Sequence, residues 1–420
     1  MVKCGQKRVA TREYYSLFSH SPLPSVDFID HVLPNTKIGF SNGFLTNNFA
    51  TVSNGMDVQS VGGGLKVHLV GRDAEIPFVW LRDHCRCEVC YNAVTFQKNV
   101  ENYVLTEDLA AREVQMNGEC LKITWQDGHI STYSLQWISR NFFPQQESIV
   151  KQFLWDGNLI KSQSLPCVPC NVYLKTDKGL QEVLSNILKY GFCIVNEVSV
   201  TEESTGTVAE RICCILETVF GRLNTVKPDL QFNDTAYTSI AIGAHTDTTY
   251  YTLPAGIQLF HILHHDGKGG ESLLVDGFNA AEKLRGSNPK YFETLVRTVI
   301  PHEFQDKRGH HLYSLGTVLS VDSCTQQLTL VRFNPYDRAP LNTVSAEEIP
   351  NFYASYDALK QIIWNKDNYF WLKLQPGMVL LVDNWRVLHG RSAFTGNRIF
   401  SSCYLPRDEW RSRARSLELL

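Results

Sequence analysis

No run of apolar residues in this 420-residue chain approaches the length needed to cross a membrane. No secretory apolar core stands at the N-terminus. Charge of either sign is not in excess: 40 Lys and Arg against 43 Asp and Glu leave a net of −3, which gives no electrostatic ground for a nucleic-acid partner. Internal repeats and low-complexity tracts are also missing. What is present, 43% hydrophobic and 20% charged residues, is ordinary globular composition. The length predicts two domains. Twelve cysteines are present, but a chain of this size builds a core without disulfides, so a reducing compartment is expected.

The first twelve residues carry Lys3, Lys7, Arg8 and Arg12 and no acid, and Ser16, Ser19 and Ser21 follow. The pattern is compatible with a mitochondrial (matrix) transit peptide. Glu13 and a frayed basic terminus leave a cytoplasmic location as the alternative. Residues 1–62 read as a leader or poorly ordered extension, 63–143 as a small domain of short strands, 144–164 as a connector and 165–420 as the main domain. Within them LKVHLV, EIPFVWLRDHC, CLKITWQ and HISTYSL alternate as strands do. GLQEVLSNILKYG is a helix stopped by Gly191, GFCIVNEV a strand, and TVAERICCILETVFG a second helix. The fold class is mixed and mainly β.

His245-Thr246-Asp247, with His389 far downstream, carries the most chemistry. Two imidazoles and a carboxylate are the ligand set of a non-heme Fe(II) oxygenase. The His-x-Asp pair lies among β-branched and aromatic residues, so it reads as a strand end whose alternate side chains share a face. His389 closes GMVLLVDNWRVLHGR, which reads as a second strand. A competing His264-x-Asp266 runs into Gly267-Lys268-Gly269-Gly270 and reads as a solvated loop. Arg398 follows His389 by nine positions. A guanidinium there meets the far carboxylate of a 2-oxo dicarboxylic acid, which makes the metal triad a 2-oxoglutarate site open to O2.

A second constellation lies in the small domain. Cys85, Cys87 and Cys90 place three thiols within six residues, and His129 follows in TWQDGH. Three thiolates and an imidazole make a closed structural zinc site. His84 is the alternative imidazole, strained as a chelator beside Cys85. Cys167-x-x-Cys170 lies in a Pro-rich stretch and reads as structural.

The stretches WLRDHCRCEVCYN, TWQDGH, DTAYTSIAIGAHTDTTY, GGESLLVDGF, RFNPYDRAPLNTV and DNWRVLHGRSAFTGNR resemble the gamma-butyrobetaine/trimethyllysine dioxygenases, the two hydroxylases of carnitine biosynthesis. HTDTTY, the Asp of DTAYT and NPYDRA look more like the trimethyllysine branch. The resemblance runs from about residue 65 to the C-terminus. It implies a double-stranded β-helix (jelly-roll) core with flanking helices, Fe(II), 2-oxoglutarate and ascorbate dependence, and a homodimer. It implies hydroxylation of Nε-trimethyllysine at carbon 3, with gamma-butyrobetaine or another amine as the alternative substrate. A catalytically silent homologue has no physical reason to keep His245, Asp247, His389 and Arg398 together.

A quaternary ammonium donates no hydrogen bond, so it is held by aromatic faces. The family's cage residues match Tyr237 and Tyr404 here. Its Tyr-Gly-x-x-Trp segment reads Phe220-Gly221-Arg222-Leu223-Asn224 in this chain, with one hydroxyl and one indole gone. Phe232 or Tyr250 are the aromatics near enough in sequence to fill the gap. Asp234 is the candidate partner for the α-ammonium of an amino-acid substrate, against an Asx turn. Arg332, Asn334 and Tyr336 are candidates for the cavity mouth.

Overall fold

In the computed structural model the described residues are 50–51, 58–69, 72–99, 109–143, 150–226 and 238–420. The basic N-terminal segment, Phe232, Asp234 and Tyr237 lie outside them. Contacts divide the chain into two compact units, 1–142 and 143–420.

In the first unit, Val58–Val61, Gly64–Leu69 and Arg72–Pro77 form an antiparallel meander. The first of these strands lies within the stretch read from sequence as an extension. Ala111–Asn117, Cys120–Trp125 and Ile130–Ser134 form a second meander. Its central strand buries Leu121, Ile123 and Trp125, the two-residue period of a half-buried sheet. EIPFVWLRDHC, read as one strand, is a strand to Pro77 and then a helix, Phe78–Asp83. Pro77 sits at the helix N-cap with φ −60°, and Phe78 and Leu81, one helical turn apart, both go inward.

Ten of the strands described in the second unit form its two main sheets. They are β1 Cys167–Pro169, β2 Phe192–Asn196, β3 Asn224–Val226, β4 Ile242–His245, β5 Ile257–His265, β6 Ser272–Asp276, β7 Tyr369–Leu372, β8 Val379–Asp383, β9 Val387–Arg391 and β10 Arg398–Leu405. Two sheets result, in the orders β1-β2-β8-β5-β10-β3 and β4-β9-β6-β7. The chain passes between them at β3 to β4, β4 to β5, β5 to β6, β7 to β8, β8 to β9 and β9 to β10, which is the winding of a double-stranded β-helix. Phe192, Ile262, Leu380 and Phe400 of the larger sheet pack with Leu274, Phe370 and Val387 of the smaller. Helix α1, Asp177–Tyr190, seals the larger sheet with Leu180, Val183, Leu184 and Ile187. Gly191 ends it at φ +80°, where an added Cβ would stand 2.4 Å from Val387. Helices 277–287, 289–297 and 349–363 cover the smaller sheet through Phe278, Leu295, Phe352 and Leu359.

Two sequence readings change here. GMVLLVDNWRVLHGR is not one strand but β8 and β9, in different sheets, joined by a turn at 384–386. The turn is held by buried polar groups. Asn384 donates to the carbonyls of Asp247 and Ala255 at 3.0 and 3.1 Å. Arg386 pairs with Asp276 at 2.7 Å and donates to the carbonyls of Phe153 and Lys189. The helix expected over Thr207–Gly221 instead spans Glu202–Glu210, N-capped by Thr201. Beyond it, Leu216 N–H donates to the Tyr404 carbonyl at 2.8 Å, so pairing with β10 replaces helical bonding.

Candidate active site

β4 and β9 are antiparallel neighbours in which His245 lies directly opposite His389. Cross-strand partners stand about 5 Å apart, and the two imidazole centroids are 4.5 Å apart. Asp247 follows β4 by two residues. Its N–H donates to Asn384 Oδ1 at 2.8 Å, so the turn between β8 and β9 aims it inward. Thr248 next to it has φ +57°, uncommon for a β-branched residue, and is fixed by bonds to Asp247 O and from Ala255 N.

Asp247 Oδ1 lies 3.0 Å from His245 Nε2 and 3.6 Å from His389 Nε2. The three ligand atoms fall within 4.8 Å of one another. His245 Nδ1 meets the Gly243 carbonyl at 2.8 Å, which fixes the ring with Nε2 facing Asp247. Burial opposes ionisation of Asp247, yet the two imidazoles and their hydrogen bonds hold its carboxyl well below the usual range. Burial also works against a charged His245, but Asp247 and the Gly243 carbonyl outweigh it and raise that imidazole. His389, whose Nδ1 has no hydrogen-bond partner among the described residues, moves down, chiefly through burial. His264 and Asp266 meet at 3.3 Å but are about half exposed, and Asp266 holds the turn at Asn397.

The triad lies in a cavity of about 1020 Å³, mouth included. Alternate residues of β10, Arg398, Phe400, Ser402 and Tyr404, all line it, as do Gln258 and Phe260 of the neighbouring β5. Arg398 is 5% exposed. Burial, and then the Arg391 charge, brings its guanidinium down to about 10. It packs over Phe400, 4.8 Å from the ring centre, and no carboxylate partners it among the described residues. A guanidinium buried in this way is suited to pair with an anion in the cavity.

Phe220 and Asn224 both line this cavity. Phe220 meets Phe304 edge-on at 5.4 Å, and Phe304 stacks on Tyr250 at 4.9 Å. Tyr250 is also in the lining, so an aromatic wall stands near Asn224. Tyr404 lines the cavity with its ring, but its hydroxyl is not free toward solvent: it donates to Asp247 Oδ2 at 2.6 Å. Of the three mouth candidates, Asn334 and Tyr336 line the cavity. Arg332 does not; it is 4% exposed and ties the carbonyls of Thr249 and Thr252. Sequence reasoning passed over Gln258 and Arg391. A lone amide in the apolar run GIQLF, and a second Arg two residues past His389 on the same face, were the available signals.

In the first unit, Cys85, Cys87 and Cys90 lie 3.3, 3.5 and 3.6 Å from His129 Nε2. The local fold aims them. Asp127 accepts from His129 N–H at 2.9 Å, closing the turn around Gly128, φ +83°. Arg82 donates to Cys90 Sγ at 3.4 Å and to Asp127 at 3.3 Å, tying the thiol loop to the imidazole loop. Burial lifts the Cys85 thiol to about 11, while backbone N–H groups overcome burial and lower Cys87. His84 turns away: its Nδ1 bonds the Trp80 carbonyl and its ring stacks on Trp80.

Residues 168–404, more than half of the chain, match the family described as Taurine catabolism dioxygenase TauD, TfdA family. Residues 59–139 match the N-terminal region of the gamma-butyrobetaine hydroxylase-like proteins. Trimethyllysine dioxygenase, mitochondrial, of Gallus gallus is 42% identical over 81% of this chain and 83% of its own. Its Homo sapiens counterpart is 41% identical over 81% and 82%. Gamma-butyrobetaine dioxygenase of a Pseudomonas species is 31% identical over 82% and 90%. The chain belongs to the gamma-butyrobetaine/trimethyllysine dioxygenases, within the TauD, TfdA family of 2-oxoglutarate-dependent dioxygenases.

Proposed function

We propose that this chain hydroxylates Nε-trimethyllysine to 3-hydroxy-Nε-trimethyllysine, the entry to carnitine biosynthesis, using Fe(II), 2-oxoglutarate and O2. The observation that carries the chemistry is the convergence of His245, His389 and Asp247 across the β4–β9 pair, with the buried cation Arg398 on the same cavity. Two imidazole nitrogens and a carboxylate oxygen fit Fe(II) by donor type and number. The substrate rests on the two trimethyllysine dioxygenases at 41–42% identity, against 31% for the gamma-butyrobetaine enzyme.

Bound Fe(II) and 2-oxoglutarate would supply oxidising power, the oxo acid leaving as succinate and CO2 while one oxygen atom enters a C–H bond. The protein's part is placement. Arg398 takes the distal carboxylate through a bidentate, permanently charged fork. Gly243 and the β8–β9 turn hold His245 and Asp247 aimed inward before any ligand binds. Phe220, Tyr250, Tyr336 and Tyr404 offer faces to a methylated ammonium and keep water from it. Tyr237 and Asp234, outside the described residues, are assigned to the same cage and to the α-ammonium. Ascorbate as reductant and a homodimer are assigned with the family resemblance, and a mitochondrial matrix location is supported by the two trimethyllysine dioxygenases whose names carry "mitochondrial". Cys85, Cys87, Cys90 and His129 are assigned a structural zinc ion, whose tetrahedral donor set they match.

Gamma-butyrobetaine, or another amine, is the second reading, and Asn224 on the cavity wall favours a more polar or less methylated amine over any trimethylammonium. Succinate formation with each substrate in turn, under 2-oxoglutarate, Fe(II) and ascorbate, separates them. Faster turnover of trimethyllysine supports the first reading. Faster turnover of gamma-butyrobetaine overturns it.

A further inference from the structure

We infer that Gln258 and Tyr404 form a donor clamp on the outer oxygen of Asp247, holding that carboxylate to one inward oxygen and coupling the substrate cavity to the metal centre. The inference rests on Asp247 being a metal ligand.

The clamp is set by strand register. Gln258 of β5 and Tyr404 of β10 are direct cross-strand partners, so their side chains leave the sheet together on the cavity face. Tyr404 Oη donates to Asp247 Oδ2 at 2.6 Å. Gln258 Nε2 donates to the same Oδ2 and stands 3.5 Å from the Tyr404 hydroxyl. The other oxygen, Oδ1, is the one beside His245 and His389. Gln258 is 3% exposed, between the apolar Ile257 and Leu259, and its Oε1 has no hydrogen-bond partner among the described residues. A buried amide left half unsatisfied is costly unless its donor does something its neighbours need. The amide's orientation follows from the carboxylate, since a flipped group would set oxygen against oxygen.

Two donors on Oδ2 draw negative charge outward and occupy its lone pairs. Asp247 then offers a metal one oxygen rather than two. A three-atom protein set leaves room for a bidentate oxo acid and O2; a chelating carboxylate would take one of those positions. Tyr404 has a second face. Its ring lines the substrate cavity, so a cation seated on that ring polarises the O–H toward Asp247. Occupancy of the cavity is thereby felt at the metal ligand, which makes Tyr404 a positioning residue as well as a wall.

Tyr404→Phe keeps the ring and removes the donor; Gln258→Met keeps the volume and removes the amide. With the thiolate site first filled with Zn(II), Co(II) is titrated into each protein without cosubstrate, and its visible spectrum is recorded. Succinate is then counted against hydroxylated product in the Fe(II) reaction. Both variants should bind Co(II) roughly tenfold more weakly with an altered ligand-field band. Tyr404→Phe should release several succinates per product while its KM for trimethyllysine stays within about twofold, because the aromatic face is kept. Wild-type Co(II) affinity, spectrum and succinate-to-product ratio in both variants would overturn the clamp and leave the proposed function standing. If wild type binds Co(II) no better than Asp247→Ala, the metal assignment itself fails and the clamp with it. Should Tyr404→Phe not fold, Gln258→Met decides.

Discussion

Replacing Arg398 by methionine should separate ligand binding from folding. The guanidinium is 5% exposed and has no carboxylate partner among the described residues. Burial already brings it from its ordinary value down to about 10, so the fold disfavours the charge it holds. A ligand carboxylate reverses that balance. Breaking a buried, hydrogen-bonded charge pair costs about 3–5 kcal/mol, so the KM for 2-oxoglutarate should rise roughly 10²- to 10⁴-fold. Arg398→Lys keeps charge but loses the fork and should cost about tenfold. The same Arg398→Met change removes an uncompensated buried cation from the ligand-free chain. Relief of about 1 kcal/mol would raise the melting temperature by roughly 2–4 °C. Steady-state assays at varied 2-oxoglutarate, with calorimetric melts with and without the oxo acid, read both quantities. A KM within threefold of wild type, or a variant that melts well below wild type without ligand, would refute the assignment of Arg398 to the distal carboxylate.

Four further outcomes are expected. His245→Ala and Asp247→Ala should each abolish 2-oxoglutarate turnover, and residual succinate formation above a few per cent of wild type, by roughly the scale on which metal-ligand losses act, would break the triad. Protein purified without chelator should carry zinc as well as iron by elemental analysis, and Cys87→Ser should lose only the zinc; iron alone would remove the zinc assignment. Asn224→Trp adds an aromatic face worth about 1–2 kcal/mol, so the KM for trimethyllysine should fall roughly five- to thirtyfold, and an unchanged KM would show that this wall does not meet the ammonium. Asp276→Ala strands Arg386, which is 1% exposed, and should cost about 3–5 kcal/mol in urea unfolding; a loss under about 1 kcal/mol would mean the carbonyls of Phe153 and Lys189 suffice.

The elements that were legible before folding are those whose signal is local. GLQEVLSNILKYG declares a helix because its apolar residues repeat at helical spacing and Gly191 supplies the left-handed stop. The thiol loop declares itself because its three Cys lie within one turn of chain. Where the reading slipped, a distant partner was decisive. The run from Gly377 to Arg391 looks like one apolar strand, and it breaks only because Asn384 and Arg386 find carbonyls and a carboxylate far away in the chain. Likewise the 211–221 segment has helical periodicity until Leu216 pairs with Tyr404.

By its residues alone the sequence determined which chemical groups are available: two imidazoles, a carboxylate, a guanidinium, three thiols and an unusual Asn224. Those are covalent facts and need no geometry. Tertiary structure decided which of them meet. The β4–β9 register puts His389 opposite His245 across more than a hundred residues of chain, while His264 stands at the end of β5 with Asp266 just beyond it, both about half exposed. It also turned Tyr404 from a ring in a cage into a donor on Asp247, beside Gln258, the lone amide of an apolar run. The physical reason is that a hydrogen bond reaches about 3 Å, and only the pairing of sheets brings residues so far apart in sequence within that reach.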